Sequence, residues 1–279
     1  TTSGNVASPL QDFWITAIEH RRITQGKKPG RGPSVLRLYL EGGLRRLHRS
    51  FQREQVVHDG TLDDYRTVLS GILNRAGMVL SVTTASARSD TVLPKFNILP
   101  AHSGHDAARN LLAFLADRMV AKLSGSVSLV EPLTSEGSDY NAGATHPLYA
   151  LRLRAEAAPL SEAHANALTA AAAFLMGHAT DFATAEYGTA RIERQRDLTS
   201  DTAAEANATA TAHLRQRKLD EDAGHLAVPP ICGLELLDML DFTDTFVSAA
   251  AVNRRVMAIT WKLDRPRKIY EQQIGLGPP

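Results

Sequence analysis

Residues 161–187, SEAHANALTAAAAFLMGHATDFATAEY, decide the fold class. Leu168, Ala172, Leu175, Ala179 and Phe182 recur there at spacings of 4-3-4-3, a heptad seam lined by small residues. Ser161 stands at the position of a helix cap. The spacing predicts the longest helix of the chain, packed in the core of its own subunit, with alanine allowing close helix approach.

Outward from that stretch the same period predicts more helix. Leu10, Phe13, Trp14 and Ile18 place one over 9–24, and KKPGRGP at 27–33 breaks it. Ser34 caps the next, to about residue 54, with Leu36, Leu40, Leu44, Leu47 and Phe51 on one stripe. Others are expected over 61–78, entered through Thr61 and two aspartates, and over 104–123, with Ala108, Leu111, Leu112, Leu115 and Met119 inward. Two more follow over 199–218 and 233–263. VLSVTTAS and TVLPKFNILP point to a short ribbon or extended loop, and SVSLVEP to one short strand. The polar run 132–146 reads as a boundary. The expected fold is therefore mainly α. It is a helical two-lobe subunit with a short extended or β segment near 79–103 and extended N- and C-terminal arms. Its parts are an arm at 1–8, a basic helical lobe at 9–131, a second helical lobe at 147–263 and an arm at 264–279. The last carries two glycines and three prolines, read as forbidding regular structure.

The 279 residues, 43% hydrophobic and 22% charged, have an ordinary soluble globular composition. A single cysteine, Cys232, excludes an internal disulfide framework and any multi-cysteine metal site. No apolar run is long enough to span a bilayer. TTSGNVASPL lacks the charged and apolar regions of a signal peptide, and Thr1 reads as the residue left after a start methionine. The expected location is a virion or host cytoplasm, without secretion and without a membrane.

The net charge of +1 conceals a segregation. Between His20 and Arg53 ten Lys or Arg stand against one acid, Glu41, and between Arg254 and Lys268 six stand against Asp264. The 200 residues between those clusters hold 15 basic and 25 acidic side chains. Arginine, 24 of the 31 cations, grips phosphate with a planar fork, so clustered arginine suits a nucleic-acid groove. The candidate phosphate-binding residues are Lys27, Lys28, Arg31, Arg37, Arg45, Arg46, Arg49 and Arg53, joined by Arg254, Arg255, Arg265, Arg267 and Lys268. Arg45, Arg49 and Arg53, at i, i+4 and i+8, are expected on one helix face. His20, Tyr39 and His48, with Trp261 and Tyr270 in the second cluster, could stack on bases. The competing reading is a solvated face paired with the acidic middle.

The pair His102 and His105, with Asp106 next to it, is a lead for a metal, but a third ligand is not evident in the sequence, so no metal is expected. Cys232, in PPICGLELL, reads as an inert buried thiol, with His225 nearby in sequence. No phosphate loop, nucleophile elbow or HExxH is present, so neither a catalytic residue nor a cofactor is expected.

These features point to a self-assembling structural protein, a viral coat or nucleocapsid protein packaging RNA without sequence preference. Its partners would be copies of itself, gripped through the terminal arms, and RNA. The inferred architecture is similar, at the level of fold alone, to the helical coat proteins of filamentous RNA viruses. The alternatives are an all-helical enzyme or small-molecule-binding protein with a site between the lobes, and a dimeric nucleic-acid regulator.

Overall fold

SVLRLYLE, residues 34–41, places Leu36, Leu38 and Leu40 on alternate positions, and the chain there is a strand. A computed structural model describes residues 14–22, 34–41, 44–122, 126–133, 136–143, 146–154, 160–168, 173–181, 191–197, 200–244, 248–264 and 269–279. The fold is mainly β, with several sheets that include a curled half-barrel, and the mainly α expectation is overturned. Strands β1 (Trp14–Arg22) and β2 (Ser34–Glu41) form an antiparallel ribbon, Arg22 opposite Ser34 and Trp14 opposite Glu41. They replace most of the helices expected over 9–24 and 34–54. The physical reason is that a spacing of four fits both a helical turn and two pleats of a strand. Among the described residues of that region, only α1 (Arg45–Arg49), five residues long, is helical.

An α/β unit follows. In order it contains β3 (Val56–Asp59), α2 (Tyr65–Arg75), β4 (Leu80–Thr84), α3 (Arg88–Thr91) and β5 (Lys95–Ile98). It continues with α4 (Gly104–Leu112), β6 (Arg118–Ala121) and β7 (Val127–Val130). Helix α2 starts where the Asp64 side chain accepts the Thr67 amide at 2.6 Å. Helix α4 starts where Ser103 accepts the Asp106 amide at 3.0 Å. These two helices and the strand at 127–130 match the sequence reading, but the second half of the helix expected over 104–123 becomes β6. Strands β3 and β5 pair with each other, and β7 lies between β4 and β6. Tyr65, Leu69, Ile72 and Leu73 of α2, Leu111 of α4, and Val127 and Leu129 of β7 share one core.

The polar run 132–146 contains β8 (Tyr140–Ala142), and β9 (Ala150–Leu153) comes next. The stretch expected as the longest helix is, in its described parts, β10 (Leu160–Leu168) and β11 (Phe174–Thr180), antiparallel, with His164 opposite His178. Glu162, His164, Asn166 and Leu168 alternate with Ala163, Ala165 and Ala167, and this period of two prevails over the heptad seam. Strand β12 (Arg191–Asp197) runs parallel to β10 on its other side. Helix α5 (Ala203–Leu219) is the helix expected over 199–218, and it opens with a reciprocal cap between Thr202 and Glu205.

Ala163, Ala165 and Ala179 pack beneath Ala210 and Leu214 of α5. The opposite flank of α5 is bonded to the α/β unit. Arg88 donates to the Thr209 hydroxyl at 2.7 Å, and Gln216 donates to the carbonyl of Leu112 at 2.7 Å. A Cβ added at Gly177 would overlap the Ala206 carbonyl, so α5 rests directly on the backbone of β11. Gly177→Ala is expected to cost about 2–3 kcal/mol, since the fixed helix backbone cannot yield. Gly71→Ala, in α2 with open space around it, is expected to gain up to about 1 kcal/mol. Urea unfolding of both variants checks this; equal midpoints would refute the close approach.

The expected helix over 233–263 is instead β14 (Met239–Asp244) followed by β15 (Ser248–Asp264). The expected C-terminal arm is in its described part β16 (Ile269–Gly277). With β13 (Gly224–Val228), these strands form a six-stranded sheet in the order β8-β14-β15-β16-β13-β9. Gly275 and Gly277 serve close packing: a Cβ at Gly275 would press on Ala258, and one at Gly277 on Met257. Pro278 and Pro279 come after the last paired residue, so the prolines do not prevent the strand. Leu226, Val228, Leu240, Phe242, Val256, Ile274 and Leu276 form the second core. The proposed arm at 1–8 lies outside the described residues.

Candidate assembly surface

Sheet β11-β10-β12 has one face under α5 and one face uncovered among the described residues. Because side chains alternate, the residues paired with the alanines' neighbours all point to the uncovered face. There Leu168 stands opposite Phe174, and Asn166 opposite Met176. Ile192 of β12 stands beside Glu162 in the parallel register, Arg194 beside His164 and Arg196 beside Asn166. Leu168 is 63% exposed, Phe174 66% and Met176 53%. Large apolar side chains grouped on one sheet face, rimmed by arginine, are the composition of a contact surface.

The same face carries a polar knot. Glu162 Oε1 is 2.5 Å from His164 Nε2 and 2.7 Å from His178 Nε2, and the Thr180 hydroxyl is 3.0 Å from His178 Nε2. The imidazole centroids are 5.2 Å apart at 57°. The hydrogen bond from His164, then that from His178, holds the Glu162 carboxyl below its ordinary range, so it is ionised at neutral pH. On the buried side, Glu193 binds Arg217 at 2.8 Å and faces His213, whose pKa is lowered mainly by burial.

The basic residues singled out from the sequence divide among several places. Arg45, Arg46 and Arg49 are on α1, exposed, and Arg46 donates to the Gly77 carbonyl at 3.3 Å. The helix ends at Arg49, so the expected i, i+4, i+8 face through Arg53 does not form, although Arg53 is exposed. Arg37 is in β2 opposite Glu19. Arg254 donates to the Asn253 carbonyl at 2.8 Å, and the Arg255 guanidinium is buried. Lys27, Lys28, Arg31, Arg265, Arg267 and Lys268 lie outside the described residues. His20 is in β1 and Tyr39 in β2, whereas His48 stacks on His105 with centroids 3.8 Å apart. Trp261 and Tyr270 are about half exposed and lie 6.4 Å apart, centroid to centroid.

The histidine lead at 102 and 105 leads nowhere: His105 meets His48 and Asp106, and the described residues hold one group of three metal-type ligands, Glu162, His164 and His178. Sequence reasoning missed that group; the readable signal was EAH at 162–164 on alternate positions. Cys232 is exposed, correcting the buried thiol. A cleft of about 400 Å³ lies between the α/β unit and the six-stranded sheet, lined by Thr84, Lys122, Glu136, Asp139 and Asp238. Burial there pushes Asp238 up to about 6. His102 and His105 are not in it.

No protein-family model matches the chain, and no curated protein matches it. Solved structures do. A tail protein from Neisseria meningitidis MC58 superposes with a TM-score of 0.70 at 13% identity, over 96% of this chain and 80% of that one. The 43 kDa tail protein of prophage MuSo2 from Shewanella oneidensis gives 0.63 at 11%, over 94% and 76%. A chain of the virion of a native gene transfer agent particle gives 0.53 at 13%, over 77% and 47%. At these identities the likeness is one of fold, and for the two tail proteins it extends over nearly the whole chain.

Proposed function

We propose that this chain is a non-enzymatic structural subunit of a phage-tail-like particle, in contact with further copies of itself. The observation that carries the proposal is the superposition of 96% of the chain on a tail protein with a TM-score of 0.70. The uncovered apolar face around Phe174 and Met176 supplies the contact, and a second copy of the chain is its occupant. RNA packaging is not part of the proposal. Arg255 is committed to Glu136 at 2.7 Å, and the first cluster has no continuous helix to track a phosphate backbone.

The test is mass measurement of the purified chain by light scattering, with the 260/280 nm absorbance ratio followed in parallel. The wild-type chain is expected to form a defined oligomer without nucleic acid. Phe174→Asp with Met176→Lys is expected to yield folded monomers, because both side chains are exposed and contribute little to the subunit's own core. A monomeric wild type, or an oligomer that the double variant leaves intact, would refute self-contact through this face. Nucleic acid that co-purifies and is released by high salt would restore the packaging reading.

A further inference from the structure

The knot of Glu162, His164 and His178 has a shape that surface ion pairs seldom need. Glu162 and His164 are two residues apart on β10 and therefore share a face, and His178 sits directly across from His164 on β11. Three pleat positions of a paired sheet thus fix the three side chains, independent of any loop. Both imidazoles turn Nε2 toward one carboxylate oxygen, at 2.5 and 2.7 Å, and the three ligand atoms lie within 4.8 Å of one another.

We infer that this face binds one divalent transition-metal ion of the zinc class through Glu162, His164 and His178. Zinc takes nitrogen at about 2.0–2.1 Å and carboxylate oxygen at about 2.0–2.2 Å, which puts tetrahedral ligand atoms about 3.3 Å apart. The two histidine–glutamate spacings need to open by less than about 1 Å to admit the ion. Two imidazoles and one carboxylate are a donor set for zinc, cobalt or nickel and not for calcium or magnesium, which favour oxygen alone. Three protein ligands leave a fourth position, and His178, half exposed, marks it as open to solvent. The ion takes the place of the Nε2 hydrogens beside the carboxylate, and each ring then carries its proton on Nδ1.

This inference does not rest on the tail-subunit proposal, because its three side chains belong to one chain, although they share a sheet face with Phe174 and Met176. The experiment uses the full chain after dialysis against a chelator. Zinc is titrated by calorimetry, and cobalt by the visible absorption that tetrahedral coordination produces. One equivalent is expected, with a tetrahedral cobalt spectrum. His178→Ala and Glu162→Gln are each expected to weaken binding at least about 100-fold, since loss of a ligand exceeds the 10–100-fold loss of a supporting residue. His225→Ala, on the six-stranded sheet, is expected to bind as the wild type does. Thermal unfolding without metal confirms that the His178 variant is folded. Absence of a one-to-one isotherm, or binding that survives both ligand substitutions, would overturn the site.

Discussion

A chain shortened by its last eleven residues, from Ile269 to Pro279, is expected to lose the six-stranded sheet and not merely a tail. β16 is hydrogen-bonded to β15 on one side and β13 on the other. Its removal strips both ladders and separates β13 and β9 from the rest. Ile274 and Leu276 are buried, at about 1.5–3 kcal/mol each, and their loss uncovers Val256, Leu226 and Val228. Gln272, also buried, accepts the Ile231 amide at 2.8 Å, so an interior donor is left without its partner. Against a net domain stability of about 5–15 kcal/mol, these losses together leave no stable sheet. Hydrogen exchange checks the outcome by region. Amides of β13, β14 and β15 are expected to lose protection, while those of α2 and α4, with their own core, keep it. A truncated chain whose β15 amides stay protected would show that β16 is dispensable, as an arm would be.

That terminal strand illustrates how far the sequence could be read. The glycines and prolines of IGLGPP argue against regular structure only if each is assigned its commonest role. Here the prolines follow the strand and the glycines admit Ala258 and Met257 beneath it. A glycine placed for a neighbour's side chain is invisible until the neighbour is known. The helices over 61–78, 104–123 and 199–218 were legible at their starts, which Asp64, Ser103 and the Thr202–Glu205 pair cap in the fold, whereas Ser34 and Ser161, read as caps, lie in strands. Most strands were not, because leucines four apart satisfy both periods and alanines on β10 suit a helix as well as a strand under one. The deciding partner of Ala163 and Ala165 is α5, about 40 residues later in the chain. Tertiary contact of that kind overrides propensity.

The proposed contact face was not legible in the sequence. The proposed assembling subunit keeps the class read from the sequence, but there contact was given to the terminal arms and the arginines to phosphate, and charge counts along a chain do not report burial. The exposed Phe174 and Met176 lie in the stretch read as a core helix, on either side of its seam residue Leu175, so the alternative period alone could have turned them outward. Arg254 and Arg255 show the opposite error, since one of a pair counted as surface charge lies in the interior.

Arg255→Ala is accordingly expected to be among the most destabilising single substitutions in the chain, at about 3–5 kcal/mol. Its side chain is 1% exposed, and Nη1 binds Glu136 Oε2 at 2.7 Å and the Leu237 carbonyl at 2.8 Å. Nη2 binds the Leu133 carbonyl at 2.8 Å. One guanidinium therefore ties two separate segments to β15. The first is the run after β7, through Leu133 and Glu136. The second is the turn before β14, where Leu237 holds a φ of 73°, the left-handed region that an L side chain adopts at a cost of about 1–3 kcal/mol. That turn is also pinned by backbone bonds, Leu237 donating to Val256 and Val256 to Asp238, at 2.8 and 2.9 Å. Without the guanidinium, two carbonyls lose a donor, Glu136 loses its cation and a cavity opens. Arg255→Met fills the cavity but restores no donor, so it is expected to recover only part of the loss. Glu136→Ala is expected to cost less than Arg255→Ala, because its side chain is 31% exposed and two of the three bonds persist. Chemical denaturation of the three variants and of the Arg255→Ala, Glu136→Ala pair measures the coupling. If Arg255→Ala unfolded at the wild-type midpoint, the guanidinium would be a surface cation after all, and its earlier place among phosphate-binding candidates would reopen.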